Sequence, residues 1–291
     1  MYPILFTASA VLPFKPFQQI CLQASIMTFK TLDFECALIT GGGGGIGLAI
    51  AQHFLTQGKK VIICGRTDSK LQEASRNALQ NCPYYTLDTG DIEAIPAFIE
   101  KVTAEHPELD CLVNNAGVQR PLDVNQMKPE EFLDKADNEI SINIRGPMHL
   151  AIGLLSHFKQ KPGAVIMNVS SVLGFIPFSI INPVYNGTKA WLHFWSMNLR
   201  TQLAQGGHAN IRVIEIAPPS VGTDLHRERA DPDDNKKHKN PGALSVEEFM
   251  EELVQGWKED RECIGAGMAE HVVQRWHKEF GPDYEKVAGK R

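Results

Sequence analysis

Short apolar runs alternate with longer stretches of helical spacing along most of the chain. Residues 36–39, 60–64, 84–87, 110–113, 164–169 and 211–217 are rich in β-branched, aromatic and small apolar side chains. Runs of this length, bounded by glycine, asparagine or charge, read as buried strands. Between them lie helical stretches at 46–55, 68–79, 92–105, 132–158 and 185–199. Asp68 opens the second of these as a candidate N-cap. Ser245 followed by Glu248 makes a capping-box start for a further helix to about Trp257. Regular alternation of strand and helix predicts an α/β domain, a parallel sheet with helices on both faces. A run at 264–267 is a candidate seventh strand, and 269–291 reads as a tail, helical and then frayed. The predicted organisation is an N-terminal extension at 1–34, one domain at 35–268 and a C-terminal tail at 269–291.

Composition narrows the classes of function. Hydrophobic residues make up 43% of the 291 and charged residues 22%, enough to bury a sizeable core. The net charge of -5 gives a nucleic-acid partner no support. Lys236, Lys237, His238 and Lys239 do cluster, but Asp231, Asp233 and Asp234 stand beside them, the pattern of a solvated loop. The six cysteines form no C-x-x-C pair, so neither a disulfide framework nor a metal site is expected, and a reducing compartment fits. No apolar run reaches the roughly 18 residues of a membrane span. The extension 1–34 is apolar and aromatic, has no arginine, and has no acidic residue before Asp33. A targeting peptide, an arm packed on the body and an upstream extension past a start at Met27 all remain open. Cytoplasmic localisation is the expectation, with organellar targeting left open by that segment.

The candidate chemistry begins at Thr40, where five glycines, Gly41 to Gly45, join the first strand to the first helix. A helix N-terminus offers free backbone N–H groups and a partial positive charge to a phosphate, and glycines let it approach. Thr40, Gly41, Gly45, Ile46 and Gly47 are therefore candidate pyrophosphate contacts; a flexible glycine loop is the alternative. The second strand ends at Gly65 and Arg66, where many dinucleotide folds carry an acidic residue for the ribose. A guanidinium there suits a 2′-phosphate, which points to NADP(H) over NAD(H); a solvent-facing arginine is the alternative. The fourth strand ends in Asn114, Asn115, Ala116 and Gly117, and the fifth in Ser170 and Ser171. Tyr185 and Lys189, four apart, share a helix face. A free phenol has a pKa of about 10, and a neighbouring ammonium is expected to lower it toward use as an acid.

Taken in order, T-G-x-x-x-G-x-G, N-N-A-G, the strand-end serines, Y-x-x-x-K and the Pro218-Pro219-Ser220-Val221-Gly222-Thr223 segment resemble the signatures of the short-chain dehydrogenase/reductase family over about residues 35–225. The resemblance implies a single Rossmann-like doubly wound sheet of order 3-2-1-4-5-6, with the seventh strand open. It implies a catalytic set of Asn143, Ser171, Tyr185 and Lys189, with Tyr185 as acid/base. Asn143 would hold a relay water, Ser171 would bind the developing oxyanion, and Lys189 would tune Tyr185 and hold the ribose. Asp88 is implied as the adenine contact, Asn115, Ala116 and Gly117 as the wall behind the cofactor, and Val221 and Thr223 as nicotinamide and phosphate contacts. The activity implied is hydride transfer between NADP(H) and a ketone or aldehyde and its alcohol, in a homodimer or homotetramer. A silent NADP(H)-binding module and a non-redox isomerase, dehydratase or cyclase are the competing readings.

Two departures stand out. Ser171 precedes Tyr185 by fourteen positions where the family has about thirteen, which places one extra residue in 177–183 and keeps Ser179 as an alternative serine. Pro219 replaces the glycine of the family's P-G-x-V-x-T. The substrate pocket is expected from 118–121, 172–183 and the 224–260 segment, the last acting as a mobile loop and lid. Phe175, Phe178, Ile180 and Ile181 would make that pocket apolar, or else be core.

Overall fold

A computed structural model describes residues 30–289. The readings of residues 1–29, the Met27 start among them, lie outside the described residues. Thr31 donates from both its backbone N–H and its hydroxyl to Asp260, and Phe34 packs edge-on against Phe54 at 4.9 Å, so the last residues of the extension are tied to the body.

Seven strands make one sheet: β1 (Cys36–Thr40), β2 (Lys60–Gly65), β3 (Tyr84–Thr86), β4 (Leu109–Asn114), β5 (Ala164–Val169), β6 (Ile211–Ala217) and β7 (Cys263–Gly265). The order is β3-β2-β1-β4-β5-β6-β7, every pair parallel. The expected order holds, and the seventh strand forms. Successive strand residues point to opposite faces. Ala37 and Ile39 accordingly enter one apolar cluster while Cys36 and Leu38 enter the other. With both faces covered, the strands read as unbroken apolar runs.

One face is covered by α1 (Gly45–Thr56), α2 (Asp68–Ala78) and α7 (Val246–Lys258), through Ile50, Phe54, Leu71, Phe249, Leu253 and Trp257. The other carries α3 (Ile95–Glu105), α5 (Gly146–Phe158) and α6 (Pro183–Gln205), through Phe98, Leu150, Leu154, Phe158, Leu199 and Leu203. The remaining helices are α4 (Pro129–Ile140) and α8 (Met268–Val287).

Three expectations change in detail, and the helical tail forms as expected. The residue capping α2 is Thr67, not Asp68, and it makes no side-chain cap; Asp68 instead accepts from the Thr86 hydroxyl at 3.2 Å. The stretch read as one helix at 132–158 is α4, a π turn at Ser141–Arg145, and α5. Pro147 has no N–H for the ladder, and the wider turn absorbs that fault while presenting Asn143 inward. The capping box of α7 forms, with Ser245 N–H to Glu248 at 2.8 Å and Glu248 N–H to Ser245 at 3.2 Å. However, α7 is no lid. Its apolar face is buried in the core, with Trp257 stacked on His53 at 5.6 Å. The tail, finally, is helical to Val287, and Ala269 and Val272 of α8 pack on Val172 beside the fifth strand.

Candidate active site

The carboxyl ends of the strands open into a cleft of about 920 Å³, lined from the glycine turn at one end to Tyr185 and the 224–242 loop at the other. A parallel sheet places its ligand at that edge, where strand order reverses between β1 and β4.

Thr40 stitches these two strands together. Its hydroxyl donates to the Val113 carbonyl at 3.2 Å and accepts the N–H groups of Asn115 and Ala116 at 3.0 and 2.9 Å. Asn115 returns its amide to the Thr40 carbonyl at 2.9 Å, fixing the glycine turn against Asn115 and Ala116. Gly41 hangs from β2, its N–H on the Cys64 carbonyl at 2.7 Å. Gly45 sits at φ 53°, and a Cβ there would come 3.2 Å from the Thr223 methyl. A Cβ on Gly47 would lie 2.5 Å from the Gly41 carbonyl oxygen, a separation real atoms do not tolerate. The glycine turn is thus a built cradle. No side chain caps α1 and no acidic residue occupies its first turn, so its first N–H groups are free for an anion; Gly45 and Ile46 line the cleft, while Gly47 is buried against Gly41 and does not. That donor set fits a pyrophosphate.

Arg66 is exposed at the end of β2 and lines the cleft with Thr67 and Lys70. Lys70, on the first turn of α2, doubles the positive charge there and was missed in the sequence; its one signal is the helix spacing from Arg66. Asp88 lines the same end and accepts the Gly90 N–H at 2.9 Å. Asp91 begins the next turn without a side-chain cap. Val221 is buried, its carbonyl held by the Asn235 amide at 2.9 Å, and Thr223 caps the turn after it, accepting from Leu225 at 3.4 Å. Pro219 lines the cleft, and the loop keeps Thr223 against Gly45 without the family's glycine.

Of the expected catalytic set, Ser171, Tyr185 and Lys189 line the other end of the cleft, while Asn143 is buried and not on its lining. Asn143 is buried in the π turn, donating to the Val118 carbonyl at 2.8 Å and to Thr188 at 3.2 Å, and accepting the Val118 N–H at 3.0 Å. Ser171 lines the cleft with Tyr185 and draws the phenol's pKa down, and its hydroxyl accepts the Leu173 N–H at 3.2 Å. In the loop between them Ile180 is 87% exposed, and Ser171 and Tyr185 both line the cleft. Ser179 instead hydrogen-bonds Asn182 at 2.7 Å. Lys189 donates to the Val169 carbonyl at 2.7 Å and stands 5.5 Å from the centre of the Tyr185 ring.

The electrostatics differ from the simple expectation. Burial pushes the Tyr185 phenol above its ordinary value and the Glu139 carboxylate adds to this, while Ser171 and Arg229 pull it down. Burial drives Lys189 down to about 8, against the pull of Glu139 and Glu215. Lys189 lies over the ring, anchored to a carbonyl, and burial outweighs the lowering that the four-residue spacing predicted.

The apolar wall is thinner than expected. Of its four residues only Phe178 lines the cleft; Phe175 packs on His193 at 4.1 Å, under α8, and Ile180 and Ile181 face outward. Val118, Gln119, Val172 and Leu173 line it as expected, but Arg120 and Pro121 do not. Arg229 also lines it, held by Asp234 at 2.8 Å, Asn182 at 2.7 Å and Gln119 at 2.9 Å. Nothing in its charged loop marks Arg229 in the sequence.

Residues 35–234 match the family model for short chain dehydrogenase. The chain belongs to the short-chain dehydrogenase family. It is an oxidoreductase of that family and shares its α/β fold. A Bacillus subtilis relative, the uncharacterised oxidoreductase DltE, is 38% identical over 227 residues, 78% of this chain and 86% of that one. The NADP-dependent 3-hydroxy acid dehydrogenase YdfG of Escherichia coli K12 is 34% identical over 220 residues, 74% of this chain and 85% of its own. A serine dehydrogenase solved with NADP+ superposes with a TM-score of 0.68 at 28% identity, over 79% of this chain and 93% of that one. A Sphingobium yanoikuyae short-chain dehydrogenase solved with NADPH shares the fold, with a TM-score of 0.73 at 24% identity over 88% and 95% of the two chains.

Proposed function

We propose that this oxidoreductase uses NADP(H) to interconvert a ketone or aldehyde and its alcohol, with Tyr185 as the acid/base. The observation that carries the reading is the convergence of Ser171, Tyr185 and Lys189 at one end of a cleft whose other end carries Arg66 and Lys70 beyond the glycine cradle. When bound, the nicotinamide supplies or takes the hydride. The chain's own residues do the rest. Gly45 and Ile46 receive the pyrophosphate on their N–H groups, and Arg66 with Lys70 neutralises a 2′-phosphate. Asp88 faces the adenine end, and Val221 and Thr223 hold the carboxamide side. Asn115, Ala116 and Gly117 form the backing wall. In reduction, the phenol of Tyr185 hands its proton to the carbonyl oxygen, while the Ser171 hydroxyl donates to the negative charge growing there. Lys189 holds the ribose and stabilises the phenolate left behind. Asn143 fixes the 118 segment and the turn from which proton return would start.

A second reading of the substrate rests on Arg229. Its guanidinium lines the cleft within electrostatic reach of Tyr185, a place suited to a carboxylate on the substrate. A 3-hydroxy or 3-oxo acid, as the YdfG name would suggest, then competes with a plain apolar ketone. An assembly of two or four copies belongs to the same proposal, given the half-exposed Ile152 and Phe194 and the stacked Trp191 and Trp195 at 5.3 Å.

The test is a fluorescence titration with NADPH and NADH on wild type and Arg66→Ala. NADPH is expected to bind at least about tenfold tighter, or about 1.4 kcal/mol, with the preference largely lost in the variant. Equal affinities would remove the 2′-phosphate argument, and no binding of either would sink the redox reading. Turnover of NADPH with carbonyl substrates then separates this reading from a silent binding module and from a non-redox enzyme.

A further inference from the structure

Glu139 is a carboxyl that the chemistry above leaves without a task. It lies at the end of α4, one turn before Asn143, with 0% of its surface exposed. A carboxylate on a buried helix face costs free energy unless it is fully partnered. Its Oε2 accepts the Arg120 N–H at 2.9 Å, as Asn143 accepts the Val118 N–H at 3.0 Å. Two side chains four apart on one helix face thus grip alternate N–H groups of the segment after β4. Its Oε1, by contrast, has no hydrogen-bond partner and is shielded from solvent. The charges facing Glu139 are the Arg120 guanidinium and Glu228 from the flanking loops and Lys189 from α6; Tyr185, also on α6, feels its charge. Glu215 of β6 faces Lys189 as well, and Ser171 and Arg229 face Tyr185. A Cβ on Gly117 would lie 3.3 Å from the Asn143 Oδ1 and 3.8 Å from the Lys189 Nζ, and Asn143 donates to Thr188 at 3.2 Å, so the helix face one turn after Glu139 packs directly on the segment that carries Lys189.

We propose that Glu139 is the electrostatic partner of the Tyr185–Lys189 pair, a positioning carboxyl whose ionised form holds Lys189 as an ammonium and Tyr185 as a protonated phenol. The idea rests on the reading of Tyr185 as the acid/base. A negative charge favours a nearby ammonium and disfavours a nearby phenolate. Burial pushes Glu139 up to about 7, while the Arg120 N–H, the Arg120 guanidinium and Lys189 draw it down. Its charge therefore changes near neutrality. Above that point the phenol stays loaded with its proton, the state reduction requires. Below it, the charge that favours both protonated forms is lost.

Glu139→Gln keeps the shape and an acceptor for the Arg120 N–H but removes the charge, and Glu139→Asp keeps the charge. The first readout needs no activity: the Lys189 side-chain carbon resonance is followed against pH, assigned by its loss in Lys189→Met. Its midpoint is expected to fall by about half a pH unit or more in the Gln variant and to recover in the Asp variant. The second readout is the pH profile of carbonyl-dependent NADPH oxidation. Its alkaline limb is expected to move to lower pH in the Gln variant, with KM for the carbonyl unchanged. An unmoved Lys189 midpoint, or a kcat lowered equally at every pH, would reduce Glu139 to a clamp on Arg120 and overturn the proposal. Absence of turnover in the wild type would instead sink the oxidoreductase reading, leaving the Lys189 titration to judge Glu139. If the Gln variant does not fold, the wild type suffices: the Glu139 carboxyl and Lys189 resonances must share an inflection near neutrality, and independent curves refute the coupling.

Discussion

Tyr185 holds its proton in a place that disfavours the anion left behind. Burial and the Glu139 carboxylate resist the phenolate, while Ser171 and Arg229 favour it. In the reductive direction that balance keeps the phenol loaded with its proton but makes it a weak acid, so transfer depends on the charge growing on the substrate oxygen. Ser171 accepts the Leu173 N–H, so its oxygen is held in place before substrate arrives. Tyr185→Phe keeps the ring and removes the hydroxyl proposed as the acid. Turnover is expected to fall by about 10²–10⁴-fold, while NADPH affinity, which we assign mostly to the glycine turn and Arg66, stays largely unchanged. Initial rates beside a binding titration check both halves, and a variant turning over at wild-type rate would move the acid elsewhere.

At the scale of elements, legibility follows from whether a signal is local. The strands were readable because a doubly covered parallel sheet makes each one an unbroken apolar run, and β6 needed nothing beyond Ile211 to Ala217 to declare itself. The capping box of α7 was equally local. Where α7 docks was not, since its partners His53 and Phe54 lie about 200 positions earlier in the chain. The π turn escaped for a related reason: Gly146 and Pro147 signal a fault in the ladder, and only packing decides whether a helix kinks, ends or widens there. The two readings of α7 predict opposite results for Phe249→Ala. A core helix loses about 3–5 kcal/mol of stability and leaves KM for substrate unchanged; a lid loses little stability and changes KM. The buried ring predicts the first outcome. Urea unfolding and steady-state kinetics on the same preparation decide it.

At the scale of the molecule, the site's short signatures could be read because each lies within one strand-to-helix crossing: the glycine turn, Asn115 with Gly117, Tyr185 with Lys189. Glu139, Arg229 and Glu215 could not, because the crossings bring them to the site from separate parts of the chain. Glu215 shows what this does for the whole fold. Wholly buried on β6, it accepts the Ser170 hydroxyl at 2.6 Å, pairs with the His193 Nδ1 at 2.8 Å and receives the Cys263 thiol at 3.6 Å, joining β5, α6 and β7 behind Ser171. Burial alone would raise this carboxyl, but His193, Ser170 and Arg200 outweigh it and hold the group below its ordinary value of 4.5. A group lowered on folding contributes stability that is fully present above the unfolded-chain value and lost as pH falls through the folded one. Glu215 therefore stabilises the protein at neutral pH and releases that stability below about pH 4.5. Glu215→Gln removes the titrating group. Between 4.5 and the lower folded value, the wild type's stability should fall more steeply than the variant's, by up to about 1.4 kcal/mol per pH unit. Urea midpoints measured from neutrality into the acid range give both slopes. Parallel slopes would mean that the carboxyl does not titrate on acid unfolding, and that the His193 contact holds the sheet by packing rather than by charge.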